Sequence, residues 1–235
     1  MLRFYLLVLM ILAIGMAKAE NVIKIGVLAD HSGSAVDNST PALLPAHIKP
    51  LIDLIRRVGG SIGVFAVRAK AEGGIIRLTI DSPSSAKPQL PNLNVGVFEK
   101  RTRLERYRTA LNQWNAQEQE RLKKADDAIR VFESQLQTML AATRTDRRSD
   151  VWGALMRLDR YFMEALPFRS ESLNLALIVS DCLDNTGKQR YTLASTPRVA
   201  WVNRTTELPP IFPNPKLFEN IEPAVTWLVS QPDGN

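Results

Sequence analysis

Short apolar runs alternate with longer amphipathic stretches along the chain. Residues 22–29 form such a run, rich in Val and Ile, and it ends at Asp30. Runs of this kind predict a strand buried on both faces. Residues 31–40 are polar. Residues 46–57 then carry Ile48, Leu51, Ile52 and Ile55 at helical spacing, with Gly59-Gly60 as the stop. Pro50 interrupts that helix, so it either kinks it or starts its main part. Residues 61–70 predict a second strand and residues 75–80 a third, able to pair as a hairpin across Gly73-Gly74. Residues 82–91 read as a loop rich in Ser and Pro.

From residue 98 to 152 there is neither Gly nor Pro. Pairs such as Glu99–Arg103, Glu120–Lys124 and Asp126–Arg130 have the i,i+4 spacing that supports an exposed helix. Its apolar positions fall in two heptad blocks. Leu104, Tyr107, Leu111 and Trp114 form the first; Leu122, Ala125, Ile129, Phe132, Leu136 and Met139 form the second. The blocks are joined by a four-residue stutter at a polar joint around Asn115 and Glu118. Two forms fit: one rod of ~60 Å, or a helical hairpin folded at the joint. The seam can pack on the chain's own domain or on a partner helix.

Ser149-Asp150 opens another helix, bearing Trp152, Leu155, Met156, Leu158 and Phe162. Residues 175–179 are a second wholly apolar run, followed by Ser180 and Asp181. Residues 198–202 predict a short strand, residues 208–215 an extended Pro-rich segment, and Asn220 the cap of a final amphipathic helix. This order predicts an α/β fold, a doubly wound and mostly parallel sheet with a long helical insertion at about residues 95–145. Ligands in such sheets bind at the carboxyl ends of the strands, where Asp30 and Asp181 would stand.

Residues 1–19 have a different character. Arg3, an apolar run over residues 4–16 and Ala17-Lys18-Ala19 predict a cleaved signal peptide and an exported protein, periplasmic or secreted. Residues 20–235 are then the folded unit, with no stable membrane span. Without Arg3 and Lys18 the formal charge falls from +6 to +4, too mild an excess to indicate nucleic acid. One cysteine, Cys182, excludes a disulfide scaffold within the chain and a thiolate-rich zinc site. A two-histidine metal site would need both His31 and His47. Gly-x-Ser-x-Gly is absent around Ser32, which removes the serine-hydrolase elbow.

Asp30-His31-Ser32-Gly33-Ser34 fits Asp-x-Ser-x-Ser. With Leu-Ile-Val-Ser-Asp ending at Asp181, and Ser149-Asp150 ahead of an apolar helix, the chain resembles von Willebrand factor A-type domains over about residues 22–81 and 149–230. That resemblance implies a metal-ion-dependent adhesion site. Asp30, Ser32, Ser34, Ser149 and Asp181 would hold magnesium or another divalent cation. It implies binding of a protein or acidic ligand rather than catalysis, with the helical arm available for docking or self-association. Hard oxygen donors suit magnesium, which keeps several waters. The chain departs from the family in its long Pro-rich segment 35–45, in Cys182 where Gly is common, and in Thr145 as a competitor to Ser149.

Residues 23–33 also resemble the start of periplasmic solute-binding proteins of the branched-chain amino-acid type, though over only about a dozen residues. A metal-free coiled-coil assembly protein is the third reading. His31 is expected in solvent, Cys182 in the core, and Asp184 in a turn. Asn38-Ser-Thr40 and Asn203-Arg-Thr205 fit glycosylation acceptors.

Overall fold

The computed structural model describes residues 22–67, 74–83, 86–142, 149–164, 172–182, 193–203, 212 and 214–233. The proposed signal segment, Thr145, Asp184 and most of residues 208–215 lie outside them. In chain order the elements are β1 (Val22–Asp30), α1 (Gly33–Asp37), α2 (Pro45–Val58), β2 (Gly60–Val67), β3 (Ile76–Ile80), α3 (Val97–Leu140), α4 (Val151–Met163), β4 (Ser172–Val179), β5 (Arg198–Val202), β6 (Lys216–Phe218) and α5 (Ile221–Ser230). The short helix α1 and the edge strand β6 have no counterpart in the sequence-based expectations. Pro50 lies inside α2, where it forgoes a bond to the Ala46 carbonyl. The buried face of Ile48, Leu51, Ile52, Leu54 and Ile55 holds the helix nonetheless.

The fold is mixed α/β. Six strands form one sheet in the order β3-β2-β1-β4-β5-β6. All neighbours are parallel except β2 and β3, which pair antiparallel. Strand alternation splits the core in two. Ile25, Val27, Ile62, Val64, Leu175 and Leu177 face α2, α5 and the C-terminal half of α3. Leu28, Phe65, Ile178 and Trp201 face α4. Covered on both sides, β1 is buried over its whole length. Gly26 permits this on the α4 side, since a Cβ there would fall 2.1 Å from Leu158 Cδ1.

At the amino edge of the sheet, Lys24 runs up β1 to the carbonyls that end α4. It donates to Phe162 O at 3.1 Å, to Tyr161 O at 3.3 Å and to Glu164 O. A cation there complements the negative end of the helix. Burial holds this ammonium below its ordinary pKa, against the pull of Glu164. Beside it, the Tyr161 hydroxyl and Ser61 Oγ are 2.7 Å apart in the core.

The long helix is a single rod, and the polar joint is not a turn. Arg121 docks it there, donating to Arg56 O at 3.1 Å and Asp81 O at 3.0 Å while pairing with Glu118. Arg56 returns a pair to Asp126 at 2.8 Å. Ala125, Phe132 and Leu136 of the second heptad block are buried in the domain's own core. A polar joint so engaged marks where the helix leaves the domain, which heptad spacing does not distinguish from a bend.

Candidate metal centre at the carboxyl edge of the sheet

The parallel register sets the site. Ala29 of β1 stands opposite Val179 of β4, so Asp30 and Ser180 leave the sheet side by side. Ser180 Oγ donates to Asp30 Oδ2 at 2.6 Å. The other oxygen, Oδ1, accepts from Ser32 N at 2.9 Å, which folds the chain tightly after the strand. Ser32 Oγ caps α1 by accepting from Ala35 N at 3.3 Å, and it lies 3.0 Å from Ser34 Oγ. Burial holds the Asp30 carboxyl above the usual aspartate range. Bonds from Ser180 and Ser32 pull it back, and the negative charge of Asp181 pushes it up further.

Asp181 is fully buried. Its Oδ2 accepts from Asn38 Nδ2 at 2.8 Å. Asn38 is the C-cap of α1, and its carbonyl accepts from Asn203 Nδ2 at 3.1 Å. Asn203, just past β5 at φ 61°, also donates to Thr40 Oγ1 at 2.7 Å. A relay thus runs from the end of β5 through the α1 corner to the second carboxylate. Both glycosylation-type asparagines use their amides in it.

The structure brings Asp30, Ser32, Ser34 and Asp181 to one corner. Ser149 is also fully buried, directly ahead of α4, but the cap of that helix is Asp150, which accepts from Gly153 N at 2.9 Å. His31 is buried rather than solvated, and its backbone N–H donates to Val67 O at 3.1 Å, which draws it over the end of β2. His47 is engaged elsewhere: Nδ1 accepts from Leu44 N at 3.1 Å and Nε2 meets Glu222 at 3.3 Å. Cys182 is buried as expected, at φ 64°. Sequence reasoning missed the roles of Ser180, Asn38 and Asn203. Ser180 adjoins Asp181 and was findable from the Ser-Asp dipeptide. The other two act across more than 140 residues of chain and leave no local signal.

The donor set is oxygen alone, the kind of ligand a small hard cation takes. Ser32 Oγ and Ser34 Oγ, 3.0 Å apart, share a hydrogen bond with each other. Among the described residues no three His, Cys, Asp or Glu side chains group in a way that would hold a metal ion. The candidate set has two carboxylates and otherwise hydroxyls. No family model, curated protein or solved structure matches the chain.

Proposed function

We propose that this chain is a von Willebrand factor A-like binding module with a doubly wound sheet. Its divalent-cation site would be formed by Asp30, Ser32, Ser34 and Asp181, with Ser149 as a further oxygen donor. The observation that carries the reading is the strand order. The chain winds one way from β1 to β2 and β3, and the other way through β4, β5 and β6. Asp30 ends β1 and Asp181 stands two residues past β4, the two strands that flank this reversal, the place where open α/β sheets bind ligands.

The residues divide the work. Asp30 supplies charge at the end of β1 while Ser180 and Ser32 orient its two oxygens. Ser32 and Ser34 offer neutral oxygens from one tight turn, and Asn38 aims Asp181. Two carboxylates leave a bound divalent ion electrophilic, open to an acidic side chain from a protein partner. The reading is of an exported adhesion-type module, not an enzyme.

Calorimetric titration with magnesium tests it. Wild-type protein should bind one ion, and Asp30→Ala and Asp181→Ala should each abolish the heat. An absent signal, or one unchanged in Asp30→Ala, overturns the reading. Thermal stabilisation by a free amino acid without a divalent ion would support a solute binder instead.

A further inference from the structure

The N-terminal half of α3 stands away from both cores. Beyond Glu118, residues 97–117 extend about 30 Å at 1.5 Å per residue. Residues 86–96 run back along this part of the rod. Lys87 Nζ lies 5.8 Å from the Trp114 ring, and Arg103 donates to Asn92 O at 2.9 Å. Going from residue 87 to 92 in extended chain, and from 114 to 103 in helix, both span about 16 Å. The two segments therefore lie antiparallel and in step, and the turn at residues 95–97 is the far end of the arm.

That end is bare and cationic. A Cβ on Gly96 would meet nothing within 4 Å. Val97 is 82% exposed and Phe98 is 91% exposed. Lys100, Arg101, Arg103, Arg106 and Arg108 outnumber Glu99 and Glu105 within three turns. Arg101 pairs with Glu105 at 3.0 Å and Arg103 with Glu99 at 2.6 Å, exposed pairs that exchange readily with other anions. The helix N-terminus adds partial positive charge.

The arrangement of the cations identifies the partner. Lys100, Arg101 and Arg103 lie within about 8 Å of Phe98 along the axis, and at about 100° per residue they point in three different directions around it. A helix lying alongside would meet one or two of these three. A planar anionic surface approached end-on receives Phe98 and Val97 first and then meets all three. We propose that the tip of the arm docks on the surface of an anionic lipid bilayer. This claim is independent of the cation site.

Flotation of the full chain with lipid vesicles, in EDTA to remove ion bridging, tests it. The expected result is binding to phosphatidylcholine mixed with phosphatidylglycerol, none to phosphatidylcholine alone, and weakening with salt. Phe98→Ser should reduce binding about tenfold, and Lys100→Glu with Arg101→Glu by more than tenfold. Asp30→Ala should bind vesicles like wild type, and circular dichroism should show each arm variant folded. Absent binding, equal binding to both vesicles, or binding indifferent to the arm variants overturns the proposal. So does vesicle-free self-association abolished by the same variants, which would make the tip a contact between copies.

Discussion

Asp30 bears the cost of a buried charge, relieved in part by two hydroxyls and an N–H and worsened by the charge of Asp181. Such a pair is held where neighbours orient it, and Asn38 is the residue that orients Asp181. Asn38→Ala should weaken magnesium binding about tenfold, the loss of one hydrogen bond to a charged group. Asn203→Ala, one bond further away, should weaken it less. Titration calorimetry beside thermal melts checks this, because a merely structural role would lower the melting temperature and leave affinity unchanged. Tyr161 gives a test remote from the site. Burial raises its phenol far above the ordinary value near 10. The unfolded chain therefore releases this proton first, and stability falls as pH rises past about 10. Tyr161→Phe should lose about 1 kcal/mol at neutral pH and remove that alkaline loss, as read by denaturant unfolding across pH 8 to 11.

The two halves of α3 share one sequence pattern and have different surroundings. Phe132 is buried in the core, while Leu111 is half-buried on the projecting part of the helix, along which residues 86–96 run. Phe132→Ala should cost about 3–5 kcal/mol. Leu111→Ala should cost well under half of that, and comparison of their urea midpoints checks the difference. The same contrast shows what sequence reveals. β1, β2, β4 and β5 were legible because most of their residues are buried on both faces and leave short, largely apolar runs. The antiparallel β3 was legible from its β-branched run following the Gly73-Gly74 pair in the sequence. Helix α1 and strand β6 were not, since five and three residues carry too little periodicity. The rod was legible as helix but not as straight, because a polar joint looks alike whether it bends or docks through Arg121. At the candidate corner, Asp30 and Asp181 were legible beside the apolar runs, with Ser32 and Ser34 in the turn after the first. The burial of His31 and the Asn203–Asn38 relay depend on tertiary pairing alone.

At the scale of the molecule, a two-sided sheet holds an acidic, hydroxyl-lined corner, and a rod projects with a cationic end. β1 and β4 pair in register between the two cores, so the corner is a product of the whole sheet and not of one loop. Gly26→Ala should therefore disturb the site from a distance. Its Cβ would clash with Leu158, push α4 from the sheet and cost about 1–3 kcal/mol, with weaker magnesium binding in the fraction that stays folded. The most direct measurement for the central claim is a crystal structure with manganese, located by its anomalous signal. A peak is expected within about 2.3 Å of Ser32 Oγ, Ser34 Oγ and a carboxylate oxygen of Asp30. Asp181 should face the ion while one of its oxygens keeps the Asn38 bond. A peak elsewhere, or none at this corner, would contradict that claim.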